Sequence, residues 1–151
     1  MQRPPVTGTT VATQAPWNGK QHKLHAKLSK VESTIATLLR TEHVGLNGYL
    51  KRMRVPGHPT AACPCGYRTQ STNHVVIHCP LHEEGRRQMY LRAGTATYAE
   101  LLSTPKGVKA VAEWFLGTNL LPYLALAREM AKERSPQTED TGFAQPLQQP
   151  P

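Results

Sequence analysis

The sequence predicts a mainly α-helical fold, in which one small helical domain is interrupted by a turn rich in cysteine and histidine. Two observations predict it. Apolar residues recur three or four positions apart in segments that begin with helix-capping residues, which is the pattern of amphipathic helices. The three cysteines of the chain all fall within 17 positions, between these segments, which favours metal binding over a disulfide framework.

Both ends of the chain differ in composition from the middle, because proline is frequent there and apolar residues are sparse. Such segments bury too little apolar surface to offset the entropy lost on ordering. We therefore predict a disordered tail over residues 1–19, a helical domain over 20–133 and a disordered Pro/Gln-rich tail over 134–151. The prolines that mark the tails are Pro4, Pro5, Pro16, Pro136, Pro146, Pro150 and Pro151.

The first half of the domain contains two predicted helices. Ser29 and Glu32 have the spacing of a capping box, in which each side chain accepts a hydrogen bond from the other residue's backbone amide. The helix that follows presents one apolar face. A second short helix is predicted over roughly 46–53, with inward-facing residues. The apolar positions of the two helices are Val31, Ile35, Leu38 and Leu39, then Leu46, Tyr49 and Leu50.

The second half is predicted to contain three helices. A polar helix runs over about 81–92. Thr104 is the N-cap of the next, with Pro105 at its first position, and this helix stops at Gly117. The last helix covers 120–132, with Pro122 in its first turn. We expect four large side chains from these helices to lie in the core: Trp114, Phe115, Tyr123 and Met130.

The cysteine-rich segment predicts a metal centre. Cys63-Pro64-Cys65-Gly66 is a tight turn that presents two thiols close together, and Thr72 can cap a short helix over residues 73–78. Three thiolates and one imidazole make a closed tetrahedral zinc site. We predict one structural Zn²⁺ held by a CCHC set of ligands, which are Cys63, Cys65, His74 and Cys79.

Other histidines leave alternatives open for this ligand set. His78 is adjacent to Cys79 and could replace it as a ligand. His82 lies three residues after Cys79 and could replace His74. His58, five residues before Cys63, is a weaker candidate.

The chain is strongly basic, with a formal net charge of +8 over 151 residues. Residues 17–54 contain eight lysines and arginines against two glutamates. A surface of this kind attracts polyanions through a salt-sensitive, sequence-independent interaction. We predict a nucleic-acid-binding module whose partner is RNA or single-stranded or target DNA. Its predicted contacts are Lys27, Lys30, Arg40, Lys51, Arg52, Arg54, Tyr67 and Arg68.

Tyr67 has two interpretations of equal weight. It lies between the predicted ligands and could stack on a nucleic-acid base. It could equally cover the metal site.

Catalysis is not expected of this chain. Metal-assisted phosphoryl transfer usually uses clustered carboxylates, and the one aspartate, Asp140, lies in the predicted tail. His82-Glu83-Glu84 matches the first half of a zinc-deaminase signature, but no cysteine follows it. No run approaches the roughly 20 apolar residues of a membrane span, and no signal peptide is recognisable. We expect an intracellular protein with no membrane partner and no small-molecule substrate.

Two rival interpretations remain. The chain could be a zinc-stabilised protein-interaction module that presents the apolar stripe of the helix after Thr104 to a partner. It could also be a non-functional remnant that folds but binds nothing specifically. Burial of Val108, Val111 and Phe115 against the first long helix would count against the interaction module.

The order of several motifs resembles one stretch of fungal non-LTR (LINE-like, Tad-type) retrotransposon polyproteins, after their reverse transcriptase and RNase H domains. The resemblance covers roughly residues 20–132. It rests on the runs 28–33, 39–47, 49–50 and 54–56, on the later runs 104–107 and 111–116, and on a Cys/His signature. The signature residues are Cys63, Cys65, Gly66, Thr72, His74, Val75, Cys79 and Pro80.

The resemblance implies a zinc-binding tail that helps a polymerase to engage its RNA or target DNA, without polymerase motifs in this stretch. It also implies a nuclear location. A chain of this kind would be a truncated element or a stretch absorbed into a host gene. Glu42 departs from the family pattern, which has glycine at that position.

Overall fold

The computed structural model describes residues 20–134, and this part of the chain is mainly helical and contains no β-strand. The predicted fold class is confirmed. The predicted tails lie outside the described residues, except for Arg134, which ends the last helix. The helices are α1 (Gln21–His25), α2 (Lys30–Thr41), α3 (Asn47–Arg52), α4 (Glu83–Ala93), α5 (Tyr98–Leu101), α6 (Pro105–Gly117) and α7 (Pro122–Glu133).

Helix α2 begins with the predicted capping box. The Ser29 amide donates to the Glu32 carboxylate at 2.7 Å, and the Glu32 amide donates to the Ser29 hydroxyl at 3.2 Å. The apolar face of the helix is inside, since Ile35 and Leu39 are fully buried. The cap therefore fixes where the helix starts, and burial fixes which face turns inward.

Helix α6 is the centre of the domain and packs against α1, α2, α4, α5 and α7. Thr104 caps it as predicted, because its hydroxyl accepts a hydrogen bond from the Gly107 amide at 3.1 Å. Val108, Val111 and Phe115 are at most 1% exposed. The stripe that could have formed a partner groove is thus part of the core, which weakens the interaction-module interpretation.

Helix α7 contradicts part of the predicted core. Tyr123 is 55% exposed and Met130 is 46% exposed, whereas Leu124 is the residue of this helix that is buried. Trp114 is half-buried, with its ring edge-on to Phe115 at 5.5 Å between centroids. Helix α7 has more apolar residues than the one face that packs against the domain can bury. Hydrophobic character alone therefore does not show which residues of this helix lie in the core.

Helices α1 and α5 were not predicted. Each has five residues or fewer, which is too short for an apolar period to show in the sequence. No helix in residues 20–134 combines the length and the apolar character that crossing a bilayer would require.

Helix α2 ends at a strained residue. Glu42 adopts φ 59° and ψ 16°, the left-handed conformation for which glycine is the favoured residue. Glycine, which has no Cβ atom, would adopt this conformation without strain.

Replacing Glu42 with glycine is therefore expected to stabilise the protein by about 0.5–1 kcal/mol, because the relief of left-handed strain exceeds the entropy that glycine adds to the unfolded chain. Denaturant unfolding of zinc-loaded protein measures the change. Glu42→Ala removes the same charge but keeps the strain and should give no gain. A gain of equal size in both variants would show that the charge, and not the backbone, is responsible.

Candidate metal centre and its basic flank

A tight backbone turn positions the first two thiols. The Cys63 amide donates to the Tyr67 carbonyl and the Gly66 amide donates to the Cys63 carbonyl, both at 2.9 Å. The Tyr67 amide points at the Cys65 sulfur, 3.4 Å away. Gly66 adopts φ +95°, which other residues rarely adopt and which turns the chain back at this point. The turn therefore places both sulfurs on one side of the backbone.

A short helical segment with one wide turn positions the other two ligands. Residues 74–78 form a π-helical turn, in which the Cys79 amide donates to the His74 carbonyl at 2.7 Å. π-helical turns are rare in proteins, and those that occur are often found at functional sites. The cap differs from the prediction: Ser71, not Thr72, accepts a hydrogen bond from the His74 amide, at 3.2 Å. Thr72 lies inside the helical segment, one position too late to cap it.

The four predicted ligand residues lie together. Their ligand atoms are all within 4.8 Å of one another. The Cys63 and Cys79 sulfurs are 3.7 Å apart, and the Cys65 sulfur is 3.3 Å from the His74 Nε2 atom. Tetrahedral zinc with ordinary bond lengths separates two sulfurs by about 3.8 Å and a sulfur from a nitrogen by about 3.6 Å. A disulfide would need about 2.05 Å. The group can hold one metal ion.

The alternative histidines lie outside this group. His78 is exposed and lines a surface cleft beside Cys65 and His74, but it is not in the group whose ligand atoms come together. His82 lies edge-on against the Trp114 ring, with 5.9 Å between centroids. His58 lines a separate surface cleft with Lys51 and Arg54. Geometry therefore selects His74 among the candidates that the sequence left open.

The local environment shifts the pKa values of Cys63, Cys65 and His74. Burial raises the pKa of the Cys63 thiol to about 12, so without a cation beside it this sulfur is protonated at neutral pH. The hydrogen bond from the Tyr67 amide lowers the pKa of Cys65. Burial, followed by the nearby positive groups, lowers the pKa of His74 and favours the neutral imidazole that a metal requires. Metal binding therefore displaces a proton from Cys63.

Arg86 completes the centre and was missed by the sequence analysis. It is only 6% exposed, and its guanidinium donates hydrogen bonds to the carbonyls of Cys79 and Val75, the latter at 3.3 Å. Three thiolates around a divalent ion carry one net negative charge, which a buried guanidinium can balance. A signal for it existed, since Arg86 shares one face of α4 with the buried Met89 and Ala93.

Helix α3 is attached directly to the metal segment. The Gly48 amide donates to the Gln70 carbonyl at 3.1 Å, and the Asn47 amide donates to the Gln70 side-chain oxygen at 2.9 Å. The Asn47 side chain also donates to the Ala62 carbonyl at 2.8 Å. These contacts could not be predicted from the sequence, because they join residues 15–23 positions apart. They join the first turn of α3 to the metal segment, while the basic residues Lys51 and Arg52 lie in the last turn of this short helix.

Most of the predicted nucleic-acid contacts are exposed, but Arg40 is not. Arg40 is 6% exposed, and its guanidinium donates to the carbonyl of Leu102 at the end of α5. The prediction that it contacts phosphate is wrong, because its side chain is buried and donates a hydrogen bond to a carbonyl in the core. The exposed members of the set are Lys27, Lys30, Lys51, Arg52, Arg54, Tyr67 and Arg68.

Tyr67 covers a metal ligand. Its ring stacks on that of His74, with 4.5 Å between centroids and 6° between planes, while the residue stays 48% exposed. The covering role is therefore present in the structure. The next residue, Arg68, is also exposed.

The packing of α3 against the metal segment can be tested at Gly48. A Cβ atom at this position would lie 2.8 Å from the Gln70 carbonyl oxygen and 3.0 Å from the Thr69 methyl group. Gly48→Ala is therefore expected to push α3 off the metal segment and to cost about 1–3 kcal/mol of stability, as overpacking does. Gly45→Ala, whose Cβ would meet atoms no closer than 3.6 Å, is the matched control. Equal unfolding free energies for the two variants would contradict the close packing.

Comparisons of the chain with protein-family models, with curated proteins and with solved structures find no match. The class of protein is therefore defined by the fold and the site alone. It is a mainly helical chain with a Cys₃His group that can hold one metal ion.

Proposed function

We propose that this chain is a non-catalytic nucleic-acid-binding module built around one structural zinc ion. The observation that carries the proposal is the attachment of α3 to the metal segment through Asn47, Gly48 and Gln70. Because of it, a metal at the Cys₃His group would hold exposed cations of α3, of the turn after α3 and of the metal segment in one arrangement. These cations are Lys51, Arg52, Arg54 and Arg68.

The donor set supports zinc as the metal. Thiolates are soft ligands, and a tetrahedral site of three sulfurs and one imidazole suits zinc. The site supplies four protein ligands, which leaves no open coordination position for a substrate or a reactive water. Because no coordination position stays open, the metal would have a structural and not a catalytic role.

The partner we propose is RNA or single-stranded or target DNA, as in the non-LTR retrotransposon tails that the sequence resembles. The net charge of +8 and the exposed arginines support a phosphate-binding surface. From the same resemblance, we also propose that the protein is intracellular and nuclear. The core position of α6 favours this function over a protein-binding groove on that helix.

Salt titration tests the nucleic-acid contacts. For zinc-loaded protein binding a single-stranded oligonucleotide, the logarithm of the affinity should fall linearly with the logarithm of the salt concentration. Replacing Arg52 and Arg54 together with alanine should flatten that slope by about 1.4, because each phosphate contact contributes about 0.7 on single strands. Fluorescence anisotropy at several salt concentrations gives both slopes.

The matched control removes two exposed arginines from α4, Arg87 and Arg92, and should leave the slope nearly unchanged. Zinc stoichiometry is measured for every variant by native mass spectrometry. Equal flattening in both double variants would show diffuse charge attraction without a defined surface. An unchanged slope after loss of Arg52 and Arg54 would remove those residues from the contact set.

A further inference from the structure

A surface cleft lies at the end of α3, where the chain enters the loop that precedes the metal segment. Its volume is about 370 Å³. Half of its lining residues have basic side chains, and no acidic residue of the described part of the chain lines it. The lining residues are Lys51, Arg54, Val55, Gly57, His58 and Pro59.

The basic side chains of this cleft have no partner in the structure. Within residues 20–134, the side chains of Lys51, Arg54 and His58 form no hydrogen bond and no ion pair. The ammonium of Lys51 and the guanidinium of Arg54 each carry a positive charge at neutral pH. Because no carboxylate in the cleft balances these charges, the cleft attracts an anion.

These cations could instead serve only to neutralise the C-terminal end of α3. Cations near a helix C-terminus interact favourably with its unpaired carbonyl groups. However, the carbonyls of Tyr49, Leu50 and Lys51 already accept hydrogen bonds from the backbone amides of residues 53–55. Since the backbone itself caps the helix, the cationic side chains remain available for a ligand.

Arg54 occupies a position for which glycine is the favoured residue. Its φ of 55° lies in the left-handed region. The Arg54 amide donates to the Lys51 carbonyl and the Val55 amide donates to the Leu50 carbonyl, which is the Schellman pattern that usually has glycine at this point. Strained residues of this kind are concentrated at functional sites. A ligand for the exposed guanidinium gives a physical reason for an arginine at this position.

The loop after α3 holds His58 in a defined position. The His58 amide donates to the Val55 carbonyl at 3.2 Å, and Pro56 and Pro59 restrict the backbone on either side. A Cβ atom at Gly57 would have no other atom within 4 Å, so the surface is open at this point. A ligand can therefore approach, and it would lose little free energy in ordering the loop.

The arrangement of the donors favours phosphate over carboxylate. Phosphate oxygens project tetrahedrally, so donors on different sides of a cleft can reach different oxygens, whereas both oxygens of a carboxylate lie in one plane. We propose that this cleft is a phosphate site, in which Lys51, Arg54 and His58 together hold one phosphate group of the bound strand. The inference rests on the proposed function and adds His58 to its contact surface.

Inorganic phosphate is the direct probe of the cleft. Isotope-labelled, zinc-loaded protein is titrated with sodium phosphate at neutral pH and constant ionic strength, and the amide chemical shifts are followed by NMR. We expect saturable shifts concentrated in residues 51–58, and no such shifts with sodium acetate. His58→Ala and Arg54→Gly should each weaken the phosphate affinity about 3- to 5-fold, the upper range for an exposed ion pair.

Arg54→Gly also separates binding from folding. Because it relieves the left-handed strain, this variant should resist urea at least as well as wild type while it binds phosphate less tightly. His22→Ala, which removes an exposed histidine from α1, should leave the phosphate affinity unchanged. Equal shifts with phosphate and acetate, or undiminished affinity in both cleft variants, would overturn the phosphate site.

A single-stranded oligonucleotide distinguishes this site from the proposed function. Both of its ends carry hydroxyl groups, so that all its phosphates are internal. It should shift the same amides, and it should bind His58→Ala less tightly than wild type. Binding to wild-type protein without these shifts would overturn the site and leave the nucleic-acid module standing. If phosphate bound in the cleft and the oligonucleotide bound nowhere, the nucleic-acid module would be overturned and the cleft would take a free phosphate group.

Discussion

Removing the metal is expected to unfold the segment from Cys63 to His82 and to release α3 from it. Structural zinc contributes about 10–16 kcal/mol in small finger peptides at neutral pH, which is comparable to the whole folding free energy of a domain. The ligand residues come from two separate pieces of backbone, the turn at 63–67 and the π-helical turn. Without an ion, the Cys63 thiol is buried and protonated, and the two pieces are joined by much weaker contacts, such as the stacking of Tyr67 on His74.

Limited proteolysis and far-ultraviolet circular dichroism before and after chelation measure this loss, with native mass spectrometry recording the zinc. The Cys63→Ser, Cys65→Ser variant should resemble the chelated protein even when zinc is supplied. One zinc per wild-type chain and none in the variant would establish the site. A segment that stays resistant to protease after chelation would show that the ion is not structural, and well-folded protein without zinc would remove the metal centre altogether.

Replacing Arg86 with alanine is expected to cost about 2–4 kcal/mol, because the carbonyls of Val75 and Cys79 lose a charged donor inside the protein. Metal affinity should fall as well, since the positive charge that balances the thiolates is lost. Urea unfolding of zinc-loaded protein gives the first quantity, and competition with a chromophoric chelator gives the second.

The neighbouring Arg87 is the matched control for this prediction. It is exposed and forms ion pairs with Glu83 and Glu84 at 3.9 and 3.1 Å. Exposed pairs of this kind contribute less than about 1 kcal/mol, so Arg87→Ala should change little. Arg86→Lys should recover part of the metal affinity, because the ammonium keeps the positive charge. If Arg86→Ala were no worse than Arg87→Ala, the guanidinium would have no structural role.

Features encoded within a few residues were predictable from the sequence. The capping box of Ser29 and Glu32, the Thr104 cap and the apolar period of α6 each need only neighbouring positions to be recognised. The ligand set was predictable for a similar reason. Few residue types bind a soft metal, and the chain concentrates its cysteines in one segment.

Features that depend on distant partners were not predictable. Arg40 was assigned to the surface by its charge, and only the fold brings the Leu102 carbonyl, 62 residues later, to its guanidinium. Tyr123 and Met130 were placed in the core by their hydrophobicity, although α7 has too few neighbours to cover them. The Thr72 cap was wrong because the helical segment begins one residue early, with Ser71 outside it.

The contact between α3 and Gln70 would have a thermodynamic consequence if the proposed nucleic-acid binding holds. If the same arrangement of the metal segment favours both the ion and the polyanion, each must raise the affinity of the other by the same factor. Oligonucleotide would then slow the transfer of zinc to a competing chelator, and Gly48→Ala would abolish that protection. Through this one helix contact, the occupancy of the nucleic-acid surface would follow the supply of free zinc in the compartment.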